Sequence, residues 1–215
     1  MELINSLVEK YAEQFSSPES ELLRNINRET YASHAQPHML SGHTQGRALA
    51  MFSKMMRPRH ILEIGTFTGY SALCLAEGLQ DDGELHTIEL REEDAKLSQN
   101  NFDKSNHKNK IHLHNGNALE IIPMLQRAWD MVFIDADKTN YINYYELVIE
   151  RLNDNGIILA DNVLFHGQVL EDPVKGKNAL AIQQFNEHIS KDERVEQVLL
   201  TIRDGILLIK KKNNA

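Results

Sequence analysis

From residue 60 onward short apolar runs alternate with longer amphipathic stretches, and this rhythm constrains the fold more than any other feature of the chain. The runs read HILEIG, ELHTIEL, KIHLHNG, WDMVFIDA and GIILADNV, and the stretches 69–79, 91–105, 117–127 and 139–152 between them carry helical spacing. Strand and helix in repetition predict a parallel sheet covered on both faces and linked by right-handed crossovers. The C-terminal part departs from the rhythm. Residues 177–191 read as one more helix. VEQVLLTI, RDG and ILLIKKK then read as two strands joined tightly through Asp204 and Gly205, an antiparallel pair at the sheet edge. Upstream, apolar positions recur at Leu3, Leu7, Tyr11 and Phe15, at Leu22, Leu23 and Ile26, and at Leu49, Phe52 and Met56, which predicts about three helices. One of these is expected to start near Pro18, after Ser16 and Ser17, and AQPHMLSGHTQG is read as an irregular loop. The expectation is a single α/β domain over 1–215, with a helical segment 1–57 ahead of an α/β core 58–215.

Composition narrows the function. A formal net charge of -8 argues against a phosphate-backbone binder, so nucleic acid is not an expected partner. MELINSLVEKYAEQF mixes acids and a lysine among its apolar residues, unlike a signal peptide, and no run approaches the roughly 18 apolar residues of a membrane span. The single cysteine, Cys74, lies among Leu73, Leu75 and Ala76 and reads as a small buried apolar residue. Cytoplasmic residence is the default expectation.

The first strand runs into a helix as ILEIGTFTGYSALCLAEGL. Gly65 ends the strand, where a side chain would obstruct an approaching ligand, and Gly69 opens the helix whose amides face the same crevice. A pyrophosphate site asks for a third glycine, but Thr66 stands at the second position and Glu63 precedes the turn. A carboxylate there repels phosphate and suits the ammonium of an amino-acid-like ligand. Glu89 ends the next strand, about 20 residues past Gly69, where an acid can hold the two hydroxyls of a ribose.

EIGTFTGYSALCLA, IEL and NGNALEIIP resemble the cofactor motifs of class I methyltransferases that use S-adenosylmethionine. The resemblance implies a Rossmann-like seven-stranded mixed sheet with helices on both faces. It assigns the methionine end to Glu63, Gly65, Thr66, Tyr70 and Ser71, the ribose to Glu89, and the adenine to Asn117 and Ala118. Asn117 stands where many relatives carry Asp, and its amide oxygen can still accept from the adenine amine.

Two further strand tips carry acids: MVFIDADK ends in Asp135, Asp137 and Lys138, and IILADN in Asp161 and Asn162. Two carboxylates and an amide form an all-oxygen donor set suited to Mg²⁺, Mn²⁺ or Ca²⁺. His112 and His114 point to one face of a strand without nearby cysteine or carboxylate partners, so metal ligation by that pair is not expected. FIDADKTNYINYYE and ADNVLFHG are similar to the cation-dependent caffeoyl-CoA and catechol O-methyltransferase family over roughly 37–211. By that resemblance Asp135, Asp161 and Asn162 are the metal ligands, Mg²⁺ first among the ions, and Lys138 is the catalytic lysine. Met39, Ser41, Asp137 and Tyr144 correspond to cofactor or acceptor contacts, and His166 stands where plant relatives often carry Asn. A phenol ionises near pH 10, and a dication held by vicinal hydroxyls corrects that. The same dication and partial burial both disfavour an ammonium, so the Lys138 pKa is expected to fall toward neutrality, as a general base requires. The implied reaction is methyl transfer from S-adenosylmethionine to a catechol-like small molecule, by a homodimeric enzyme. A dehydrogenase lacks its third glycine here, and a nucleic-acid amine methyltransferase would show an N-P-P-Y type tetrad where this chain reads DADK. A protein that binds S-adenosylmethionine without catalysis would need the cofactor residues but not Lys138, Asp161 and Asn162.

Overall fold

The structure, a computed structural model, describes residues 5–212, so Leu3 lies outside the described residues. Three helices come first: α1 (Ser6–Gln14), α2 (Glu21–Ser33) and α3 (Gly42–Met56). The core follows as β1 (His60–Ile64), α4 (Tyr70–Ala76), β2 (Glu84–Glu89), α5 (Glu92–Asp103), β3 (Ile111–Asn115), α6 (Ala118–Met124), β4 (Trp129–Ile134), α7 (Tyr141–Ile149) and β5 (Leu152–Asp161). It closes with α8 (Lys177–Ser190), β6 (Val195–Leu200) and β7 (Ile206–Lys211). The sheet order is β3-β2-β1-β4-β5-β7-β6, with β7 antiparallel to both its neighbours. β7 is therefore inserted beside β5, and β6 alone is the edge of that half.

Each face of the sheet buries its own apolar layer. Ile122, Tyr145, Val148 and Phe185 pack from α6, α7 and α8 on one side. Leu23, Leu49, Leu75 and Phe102 pack from α2, α3, α4 and α5 on the other. Cys74 is fully buried, as its apolar neighbours predict, and so is Trp129 at the start of β4. Among the described residues no helix is long and apolar enough to cross a membrane.

Three local expectations are corrected. The segment AQPHMLSGHTQG is irregular only as far as Ser41, because α3 already begins at Gly42. α2 starts at Glu21, not beside Pro18, because the Ser20 hydroxyl accepts from the Leu23 amide at 3.2 Å and caps the helix there. The β6–β7 connection is a five-residue loop, 201–205, with left-handed backbone at Arg203 (φ 48°) and Gly205 (φ 86°). It is longer than a tight turn because Arg203 Nη1 reaches back to the carbonyls of Leu40, at 3.0 Å, and Ser41. α1 forms at the spacing read from sequence, yet none of its residues is buried, and Leu7, Tyr11 and Phe15 are 72%, 63% and 69% exposed.

Candidate active site

The β1–α4 turn is set by backbone crowding. A Cβ on Gly65 (φ 100°) would stand 1.9 Å from the Asp135 carbonyl oxygen, so glycine is required by the neighbouring tip of β4 and not only by a ligand. Glu63, fully buried, accepts from Thr87 Oγ1 at 2.5 Å through Oε2, while Oε1 has no hydrogen-bond partner. Burial pushes its carboxyl up to about 8, opposed by the Thr87 hydrogen bond and the nearby Ser71 hydroxyl. Thr66 shares a hydrogen bond with Thr87 at 2.5 Å and holds the turn from behind. The Tyr70 side chain is turned to the N-terminal helices: its hydroxyl donates to Glu19 and its ring lies against Gly46 of α3. With that side chain engaged on the N-terminal helices, Tyr70 meets the β1–α4 turn through its backbone at the start of α4.

At the tip of β2, Glu89 accepts from the Phe67 amide at 2.8 Å and the Arg91 amide at 2.9 Å, one oxygen each. These fix the carboxylate and leave further lone pairs free. Asn117 caps α6, its Oδ1 accepting from Leu119 at 3.1 Å, with Ala118 buried behind it. Met39 is partly exposed beside Arg91, and Ser41 is buried at the start of α3.

The tips of β4 and β5 converge on one ammonium. Lys138 Nζ donates to Asp135 Oδ1 at 3.0 Å, Asn162 Oδ1 at 2.7 Å and the Tyr141 hydroxyl at 2.7 Å. Asp161 is buried next to them, accepting from Gln45 Nε2 at 2.7 Å and from the Asn162 amide at 2.8 Å. Burial and the neighbouring Asp135 push its carboxyl up to about 7, opposed by Lys138, Gln45 and Arg203. The left-handed backbone of Asn162 (φ 57°) turns its amide into the cluster, and its Nδ2 is held by Asp204 at 3.3 Å. Asp137 lies outside this group: Tyr144 donates to it at 2.5 Å and Asn140 at 2.6 Å, which also occupies the Tyr144 hydroxyl.

Residues 13–212 match the O-methyltransferase family. Caffeoyl-CoA O-methyltransferase 1 of Eucalyptus globulus is 32% identical over 195 residues, spanning 86% of this chain and 79% of its own. The solved SAH-bound methyltransferase of Podospora anserina superposes with a TM-score of 0.89 at 28% identity, covering 97% of this chain and 95% of its own. An O-methyltransferase of Streptomyces achromogenes in complex with SAM gives 0.89 at 26%, with 96% of each chain covered. The chain belongs to the O-methyltransferase family.

It is an S-adenosylmethionine-dependent O-methyltransferase of the caffeoyl-CoA type, with the Rossmann-like sheet of that class. The orphaned Glu63 Oε1 fits the donor's ammonium, since a buried acceptor without a partner otherwise costs about 1–3 kcal/mol. The oxygens around Lys138 Nζ likewise fit a hard cation, because they already hold one positive charge. Among the chain's own groups burial lowers the Lys138 pKa, but Tyr141, Asp135 and Asp161 outweigh burial and the net shift is upward, whereas the expected fall belongs to the state with a dication bound.

Sequence reasoning gave no site role to Gln45, Tyr141, Arg203 or Asp204, the last read only as a turn residue, yet they hold Asp161, Lys138, Ser41 and Asn162 in place. Only Tyr141 carried a signal, three residues past Lys138 and on the face of the first helical turn. The reading that His112 lacks a nearby carboxylate is also corrected. β2 pairs His86 with His112, and Glu84 lies beside them, because adjacent strands bring distant sequence positions onto one face.

Proposed function

We propose that this enzyme transfers the methyl group of S-adenosylmethionine to one hydroxyl of a catechol-like small molecule, assisted by a divalent cation, Mg²⁺ first with Mn²⁺ or Ca²⁺ as substitutes. The observation that carries the reading is the convergence of the Asp135 and Asn162 oxygens on one positive charge, with buried Asp161 beside them. Asp135, Asp161 and Asn162 would hold the cation. When bound, it would lower the pKa of vicinal phenolic hydroxyls and fix them toward the donor. The curated relatives named caffeoyl-CoA O-methyltransferase support an acceptor with neighbouring ring hydroxyls.

The chain's own residues divide the remaining work. Glu63 holds the donor's ammonium through Oε1, with Gly65, Thr66 and Ser71 shaping that end, and Glu89 takes the ribose hydroxyls. Asn117 and Ala118 border the adenine, and Met39 and Ser41 cover the donor from the α2–α3 connection. Lys138 Nζ, beside Asp135 and Asn162, would accept the proton of the acceptor hydroxyl, its neutral form favoured by the bound dication. Asp137 and Tyr144, hydrogen-bonded to each other, contact the donor's outer rim. We place the enzyme in the cytoplasm as a homodimer. The exposed apolar side of α1 suits a second copy, and light scattering tests it.

The deciding experiment is a methyl-transfer assay on catechols, caffeoyl thioesters, dihydroxyflavonoids and matched monophenols, with added Mg²⁺, Mn²⁺ or Ca²⁺ and with EDTA. Vicinal diols are expected to react and EDTA to abolish turnover. Equal reaction of monophenols, unaffected by EDTA, points to a non-catechol acceptor. Donor binding without any transfer points to a binding protein.

A further inference from the structure

We propose that Glu84, His86 and His112 form a second metal site, for a borderline transition ion such as Zn²⁺, where β2 begins beside the edge strand β3. It is separate from the oxygen cluster at the opposite, carboxyl ends of the strands. The parallel register sets His86 against His112, so both imidazoles stand on one face, and Glu84 precedes His86 by two residues on the same face. One ligand atom from each of the three lies within 4.8 Å of the others. Tetrahedral zinc bonds of about 2.0–2.2 Å put ligand atoms about 3.4 Å apart, close to the 3.5 Å between His86 Nε2 and Glu84 Oε2.

A second, independent feature points to a ligand. His86 is buried, 8% exposed, and its Nε2 has no hydrogen-bond partner. Its Nδ1 pairs with His114 Nε2 at 2.9 Å. With Nδ1 donating to His114, Nε2 carries a lone pair directed toward Glu84, whose Oε2 stands 3.5 Å away. The His86 ring stacks on His112 and His114 at centroid distances of 4.9 and 5.2 Å. The groups facing it from all sides are His112 and His114 on β3, Glu84 on its own strand, Arg127 after α6 and the ring of Trp129. Only Arg127 is a cation, and it contacts Glu84 Oε2 at 3.0 Å, orienting the carboxylate as outer partners of metal ligands do. Two imidazoles and one carboxylate select zinc-like ions over Mg²⁺, and three protein ligands leave a fourth position open. Such an ion would fasten the edge strand β3 to β2.

The test uses tag-free, chelator-stripped protein with excess Mg²⁺ present to occupy the oxygen cluster, and Co²⁺ as the probe. One Co²⁺ per chain with tetrahedral visible absorption is expected, displaced by Zn²⁺, together with a rise in thermal midpoint on Zn²⁺ addition. H112A, at the strand edge where folding is undisturbed, and E84Q should lose the absorption and the midpoint shift, whereas D161A should keep both. Absence of tetrahedral absorption, or equal Co²⁺ binding by H112A and E84Q, overturns the site.

Discussion

Replacing Glu63 with Gln should weaken binding of the methyl donor while stabilising the empty enzyme at high pH. Burial pushes the Glu63 carboxyl up from 4.5 to about 8. At pH 7 about nine-tenths of empty chains therefore carry a proton there. An ammonium at Oε1 favours the carboxylate, so donor binding expels that proton. The donor's own α-amino group, with a pKa of about 7.7–8.0, takes up roughly 0.1 proton on binding, which leaves a net release of about 0.8. Titration calorimetry at pH 7 in buffers of different ionisation enthalpy reads this number as a slope. In E63Q the slope should reverse to a small uptake of about 0.1, and the dissociation constant should rise about 10–100-fold, the equivalent of a charged hydrogen bond of about 1.5–3 kcal/mol. The stability sign is opposite. A carboxyl raised in the folded state keeps its full contribution below the unfolded pKa and loses it as pH rises through the folded value. Between pH 4.5 and 8 this costs the empty wild type about 5 kcal/mol, which E63Q avoids. A wild type that releases no proton, or an E63Q that releases as many, would refute the assignment of the ammonium to Glu63.

Other substitutions test the remaining parts. K138A should lower kcat by about 10²–10⁴-fold while leaving the donor dissociation constant within about threefold, as expected for a base that touches only the acceptor. G65A should lose at least about 3 kcal/mol, a fall in Tm of roughly 6–12 °C, because its Cβ meets the Asp135 carbonyl at 1.9 Å; circular dichroism measures it. Y70F should lower Tm through the lost hydrogen bond to Glu19 while leaving the donor KM within about threefold, because that side chain anchors the N-terminal helices. N162A should weaken Mg²⁺-dependent turnover more than donor binding, seen as a raised Mg²⁺ requirement with an unchanged donor dissociation constant.

Much of the architecture is legible because it depends on period and punctuation. Five apolar runs ending in Gly65, Glu89, Asn115, Asp135 and Asp161 mark the parallel strands, and the acids at their tips mark the crevice. What the sequence hides comes from contacts between positions far apart. Gly65 is forced by the Asp135 carbonyl, 70 residues on, and Arg203 lengthens the β6–β7 loop to reach Leu40, 163 residues back. Gln45 lies within a helix with no motif of its own, and its role follows only from its contact with Asp161. His86 and His112 sit in different runs and meet only through strand register. The upward shift of Lys138 among the chain's own groups is of the same kind, since the groups that outweigh its burial come from two strand tips and α7.

The central claim, that a cation held by Asp135, Asp161 and Asn162 holds the acceptor in turn, is tested most directly by electron paramagnetic resonance of Mn²⁺-loaded H112A protein with catechol carrying ¹⁷O in both hydroxyls. The H112A background keeps the signal to the oxygen cluster. Line broadening from ¹⁷O that disappears in the additional variant D161A is the expected result. Active enzyme whose Mn²⁺ signal is indifferent to ¹⁷O would contradict it.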